Sequence, residues 1–262
     1  MSFCDLADVR LFYTQDGSGD PPLLFVHGYT CDSHDWSWQL AHFAGSHRVI
    51  AVDLRGHGRS SAPPDYSMPA MAQDLADLLE HLDCGPAVVI THSLGAVIGS
   101  VLAVEHPERV QAFFGIDPAY LYPEAVLSSF EPQIEIMQET SNPSEIATLM
   151  LSGTYSEISP AWLRTWHRRR IAGTPAAALR GAFLNSFGTP GAPGTSAQYL
   201  ARRECPTFVL WANEANAAAE RELLTHPTSE IVVWPGCAHW PHIDRPDEVN
   251  ALFDTWLARL PA

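Results

Sequence analysis

The 262-residue chain carries 46% hydrophobic and 17% charged residues, which suits one larger α/β domain and excludes a disordered chain. Its formal net charge of −15 argues against nucleic acid and anionic membranes as partners, because both would repel it. Five cysteines (Cys4, Cys31, Cys84, Cys205, Cys237), scattered and without CxxC spacing, argue against a disulfide framework and against a zinc site, and fit a reducing cytoplasm.

The opening residues lack the basic-then-apolar pattern of a secretory signal. No run reaches the roughly 18–20 apolar residues of a membrane helix. A cytoplasmic protein acting on a small-molecule substrate is expected, with the oligomeric state left open.

Short β-branched apolar runs bounded by turn residues predict buried parallel strands at Leu23–Val26 and Val49–Val52. His27-Gly28-Tyr29 follows the first, and Asp53-Leu-Arg-Gly-His-Gly-Arg-Ser60 follows the second. Leu75, Leu78, Leu79 and Leu82 share one face of a helix predicted over Met71–Leu82. A third strand, Val88–Ile90, runs into Thr91-His-Ser-Leu-Gly95, after which a helix extends toward Pro107. Ala112–Ile116, Thr207–Trp211 and Ile231–Trp234 complete the strands, and Glu248–Leu260 closes as an amphipathic helix. Strands alternating with helices imply a mostly parallel, doubly wound sheet.

The stretch 119–196 breaks that alternation. It is rich in proline (Pro123, Pro132, Pro143, Pro160, Pro175, Pro190, Pro193) and in aromatic residues, and predicts an inserted helical cap. Residues 1–118 and 197–262 then form the core. Arg168-Arg-Arg170 in the insert is most simply a solvated helix face, with contact to a carboxylate or guidance of an anionic substrate as the alternatives.

A serine at a strand-to-helix corner projects its hydroxyl from the sheet edge, with small residues needed on either side. Ser93 occupies that corner; Gly95 is small, and Thr91 stands where a first glycine is usual. The backbone N–H groups of Tyr29 and Leu94 flank the serine as a candidate oxyanion hole. His239, three residues after Gly236, is the candidate general base, preferred over His242. Its acid partner is expected after a late strand, but Ala215 holds the usual position. Asp117, at the end of the preceding strand, is preferred over Glu214.

His27-Gly28, the Asp53–Ser60 turn, His92-Ser-Leu-Gly95 and Gly236-Cys-Ala-His239…Pro246 together resemble the α/β-hydrolase superfamily across nearly the whole chain. The resemblance implies the α/β-hydrolase fold, structural roles for His27 and Asp53, and no cofactor. It is specific for fold and weak for reaction. Zearalenone-type lactonases and cofactor-free quinolone dioxygenases are similar in placing an acid where Asp117 stands.

The expected activity is hydrolysis of an uncharged ester or lactone by Ser93, His239 and Asp117. The alternative is a cofactor-independent 2,4-dioxygenase of 3-hydroxy-4-quinolones, in which the His239–Asp117 pair is the base. Epoxide hydrolases and haloalkane dehalogenases of the superfamily need an aspartate where Ser93 stands. His92, Trp36, Tyr120, Trp162, Trp166 and Trp240 are expected to bind substrate. No metal site is expected: His167 adjoins arginines, and His239 and His242 lie three apart in a loop.

Overall fold

The computed structural model describes residues 2–188 and 192–260. These form eight strands: β1 (Ser2–Asp5), β2 (Arg10–Asp16), β3 (Leu23–Val26), β4 (Val49–Val52), β5 (Ala87–His92), β6 (Val110–Ile116), β7 (Thr207–Trp211) and β8 (Glu230–Val233). They make one sheet in the order β1-β2-β4-β3-β5-β6-β7-β8. β1–β2 and β2–β4 pair antiparallel, and every other pairing is parallel. The expected parallel sheet is thus present, with β3, β4 and β7 on the predicted residues. The antiparallel β1 and β2 extend it beyond the sequence reading.

Side chains alternate between the two faces of the sheet, and each face has its own core. Leu24, Val26, Ile50, Val52, Val89, Phe113 and Val209 pack on one side with α2 (Met68–His81) and α3 (Leu94–Glu105). Leu23, Phe25, Val49, Ala51, Ile90, Phe114 and Phe208 pack on the other with α1 (Ser37–Phe43) and a closing helix whose inward residues are Val249, Phe253 and Trp256. Burying each large apolar side chain contributes about 1.5–3 kcal/mol. α2 forms because Met71, Leu75, Leu78 and Leu79 share a buried stripe and Ser67 accepts a bond from Ala70 N at its start.

Between β6 and β7 lie α4 (Glu124–Ser129), α5 (Glu131–Glu139), α6 (Pro143–Ser152), α7 (Ala161–Gly173), α8 (Ala176–Phe187) and α9 (Ala197–Leu200). The prolines explain themselves here. Pro123, Pro160 and Pro175 immediately precede α4, α7 and α8, while Pro132 and Pro143 sit in the first turns of α5 and α6. Pro190 lies outside the described residues. Met137, Leu151, Leu163, Ile171, Leu179 and Phe183 join the insert to the α2–α3 side of the core. Arg168 and Arg169 are exposed, but Arg170 turns inward and ion-pairs with Asp32 at 2.9 Å and with Asp35. The solvated-face expectation fails for that residue, because two carboxylates compensate its burial.

After β7 come α10 (Glu214–Arg221), α11 (Pro241–Asp244) and the closing helix α12 (Pro246–Leu257). A buried network fastens the insert's entry to this region. Tyr120 Oη donates to Glu220 at 2.7 Å, Arg203 donates to Tyr120 Oη at 3.2 Å, and Trp211 Nε1 donates to Glu220 at 2.8 Å.

Candidate active site

Ser93 sits between β5 and α3 with φ 52° and ψ −118°, a backbone conformation that costs energy in a non-glycine residue. Surrounding bonds hold it there: Ser93 N donates to Ile116 O at 3.2 Å, and Ala96 N and Ala119 N donate to Ser93 O at 2.9 and 3.2 Å. Helix and strand approach so closely that a Cβ on Gly95 would lie 2.4 Å from Val26 O. Thr91 fits in place of the usual glycine for a visible reason. A Cβ on Gly99, one helical turn beyond Gly95, would lie 2.7 Å from Thr91 Cγ2, so Gly99 vacates the space that Thr91 occupies. Thr91 Oγ1 donates to Phe114 O at 3.0 Å, which satisfies its buried hydroxyl.

Leu94 is the first residue of α3, so its N–H has no intrahelical acceptor. Among the described residues, neither Tyr29 N nor Leu94 N donates in a turn, loop or cap bond. His27 and Asp53 are both engaged by neighbouring backbone groups. His27 Nε2 accepts from Leu54 N at 3.0 Å and its Nδ1–H donates to Gly28 O at 2.8 Å. Asp53 accepts from Ser33 N and Arg59 N.

Asp117 stands just past β6 at φ 38°, with its N–H continuing the ladder to Leu210 O at 2.8 Å. One carboxylate oxygen accepts from Ala212 N at 3.1 Å, and the other receives Nδ1–H of His239 at 2.6 Å. Nε2 of His239 is therefore the ring nitrogen left as a proton acceptor. Glu214 is exposed and pairs with Arg221, so it does not join this arrangement.

The His239 loop follows β8 through a turn with Gly236 at φ 82°. Its backbone is held on both sides: His239 N donates to Thr154 O at 3.2 Å, and His239 O accepts from His92 Nε2 at 2.7 Å. Burial, reinforced by His242 and His239, pushes the His92 pKa well below the usual histidine range, so His92 is neutral. Trp240 Nε1 donates to Thr154 Oγ1 at 3.0 Å, and Ser156 and Ser159 donate to Asp244 at 3.2 and 3.0 Å. The inserted segment thus clamps the loop that carries His239.

Ser93, Asp117, His239, Tyr29 and Trp240 line one cavity of about 540 Å³. Ser93 and His239 share it without a hydrogen bond between them. Tyr122, Phe130, Gln133, Leu149 and Phe187 form its far wall. Tyr122, Phe130 and Phe187 are in mutual contact, with ring centroids 4.6–6.1 Å apart. The sequence marks these aromatics as insert residues but gives no sign that they face the serine. Four expected substrate binders lie elsewhere. Trp36 is fully buried between Phe25 and His242, and Tyr120 belongs to the Glu220 network. Trp162 stacks on Trp38 at the surface, and Trp166 packs against His34. His92 lies beneath the cavity wall, stacked near His239, Trp240 and His242.

A parallel sheet with a strained serine at the end of a central strand, and a histidine–aspartate pair in the same cavity, defines an α/β-hydrolase-fold enzyme. Residues 23–252 match the alpha/beta hydrolase family, and the chain belongs to it. The bifunctional epoxide hydrolase 2 of Sus scrofa is 25% identical over 301 residues, covering 95% of this chain and 53% of that protein. The chain thus spans about half the length of that relative. A hydrolase from Pseudomonas aeruginosa PA01 superposes with TM-score 0.81 at 26% identity, covering 98% of this chain and 97% of the other. A thermophilic esterase from Thermogutta terrifontis gives TM-score 0.79 at 27% identity over 97% and 95% of the two chains. Esterases and epoxide hydrolases thus stand among the proteins it is similar to. Among the described residues no helix is long and apolar enough to cross a membrane.

Proposed function

We propose that the protein is a serine hydrolase that cleaves an uncharged carboxylic ester or lactone. The observation that carries this reading is the 2.6 Å bond from His239 Nδ1 to Asp117 in the cavity that Ser93 opens into. Nε2 of His239 takes the Ser93 proton as Oγ attacks the carbonyl, and returns it to the leaving alkoxide. The N–H groups of Tyr29 and Leu94 hold the oxyanion, each worth about 3–4 kcal/mol in such a site. Asp117 fixes the tautomer and stabilises the imidazolium. Water then attacks the acyl-enzyme along the same proton path. The helices of residues 119–196 act as a cap over this site.

An uncharged substrate follows from the lining. Among the described residues that line it, Asp117 and His239 are the one acid–base pair and there is no arginine; the chain has no lysine, and the far wall is largely aromatic. Epoxide opening by a carboxylate nucleophile is disfavoured, since Ser93 stands at the corner.

A second reading rests on the same pair facing an aromatic wall. His239, backed by Asp117, would deprotonate a 3-hydroxy-4-quinolone, and dioxygen would attack the carbanion with Ser93 only positioning substrate. Hydrolysis of p-nitrophenyl esters by wild type and Ser93→Ala, with fluorophosphonate labelling read by mass spectrometry, separates the two. Turnover lost on substitution, with label on Ser93, supports the hydrolase. No turnover and no label, with oxygen uptake on the quinolone, supports the second.

A further inference from the structure

Outside the lining of the cavity, Cys31, Asp35 and His167 are all buried. Their Sγ, carboxylate oxygen and ring nitrogen lie within 4.8 Å of one another. Cys31 follows the turn after β3, Asp35 lies in the short 3₁₀ helix Ser33–Trp36 and His167 in the middle of α7, so the set is scattered in sequence and joined only by the fold.

Several atoms here have nothing to bond. Among the described residues, Asp35 Oδ2 and His167 Nε2 are buried without hydrogen-bond partners, and so are both ring nitrogens of His242, which lies close enough to act electrostatically on Asp35. Buried polar atoms are nearly always satisfied, so a cluster of orphans marks the place of a further partner. That partner must be electron-poor. Asp35 Oδ2 is an acceptor only, and His167 offers a lone pair at Nε2 when its Nδ1–H donates to Tyr155 Oη, 2.8 Å away. A water molecule would serve the oxygen and the nitrogen but gain little from a thiol; a borderline-soft cation uses all three.

Charge and second-shell chemistry agree. Arg170 is already engaged by Asp32 and by Asp35 Oδ1, which leaves Oδ2 open. The two carboxylates and a Cys31 thiolate balance Arg170 and one divalent ion. Tyr155 supplies the outer hydrogen bond that orients a ligating histidine.

We propose that Cys31, Asp35 and His167 form a buried site for a zinc-class divalent cation, with His242 beside the fourth position. The ion ties α7 of the insert to the turn after β3. The site is structural and stands independently of the hydrolase reading.

The test is metal binding, with catalysis left out of the readout. Chelator-treated full-length protein is titrated with Co²⁺, following thiolate-to-cobalt absorption in the near-ultraviolet, and zinc is measured on protein purified with Zn²⁺ present. One equivalent of either metal and a thiolate band are expected for wild type. Cys31→Ser should lose the band, Tyr155→Phe should weaken binding about 10-fold, and Cys237→Ser should behave as wild type. A raised melting temperature with Zn²⁺ in wild type, but not in Cys31→Ser, would agree. Wild type without stoichiometric cobalt, or a band that survives in Cys31→Ser, overturns the proposal.

Discussion

Nε2 of His92 donates to the backbone carbonyl of His239 at 2.7 Å, so the residue preceding the serine anchors the loop that carries the histidine. The bond couples β5 to the far end of the chain, 147 positions away. A neutral ring is required, because the contact uses one N–H while the buried Nδ1 has no partner. His92→Leu should lower kcat for ester hydrolysis about 10-fold, since misplacement of a catalytic group by a fraction of an ångström is costly. KM should change little, and His92→Gln, which keeps an N–H donor, should recover part of the loss. Steady-state kinetics on the three proteins checks this. Equal kcat in His92→Leu and wild type would remove the positioning role.

Asp117 and Glu214 make opposite predictions. Asp117 bonds Nδ1 of His239 and is itself oriented by Ala212 N, whereas Glu214 is exposed against Arg221. Asp117→Asn should therefore cut kcat by about 10³–10⁴, the scale of losing the correct tautomer. Glu214→Gln should leave kcat within twofold. Retained activity in Asp117→Asn would detach the aspartate from the chemistry.

The pairing of Asp117 with His239 was legible because Ala215 left the usual place empty and Asp117 ended a clear strand. Strands β3, β4 and β7 were legible for a related reason: strands covered on both faces read as unbroken apolar runs, four to five residues long. β1 and β2 were not: β1, the edge strand, has only four residues with Ser2 and Asp5 at its ends, and Arg10, Thr14 and Gln15 break the apolar signal of β2. The pocket wall was harder still. Trp36, Tyr120, Trp162 and Trp166 look like Phe130 and Phe187 in sequence, since an aromatic residue serves core, surface or cavity equally well. Which of these applies depends on how each segment is turned against its neighbours in the fold, and no local pattern encodes that. Arg170 shows the same limit, because the two aspartates that compensate it lie more than 130 positions earlier.

Acid should destabilise the fold. Burial pushes the His57 pKa down to about 4, and it lowers His27 and His92 as well. Each folded value lies below the ordinary 6.5, so the unfolded chain binds more protons on acidification. The stabilisation is complete above pH 6.5 and declines as pH falls toward 4. For His57 alone the loss across that window is about 3 kcal/mol. Urea midpoints measured from pH 7.5 to 4.5 should fall steadily below pH 6.5. A His57→Phe protein that refolds should show a shallower decline. A midpoint flat across the range would mean that these histidines titrate alike in both states.

Gly99 and Thr91 should behave as one unit. The methyl of Thr91 fills the space where a Gly99 Cβ would stand, 2.7 Å away, and Phe113 and Val89 close the other sides. Gly99→Ala forces a clash inside a packed core and should destabilise by about 1–3 kcal/mol, although alanine favours helix. Thr91→Ser removes the methyl but keeps the hydroxyl that donates to Phe114 O. In the Thr91→Ser background, Gly99→Ala should cost far less, because its Cβ enters the vacated space. A double-mutant cycle on urea midpoints measures the coupling, expected at 1 kcal/mol or more in magnitude for residues in direct contact. Additive costs would mean that strand and helix separate freely at this point. The threonine two residues before Ser93 would then be tolerated for some reason other than the glycine opposite it.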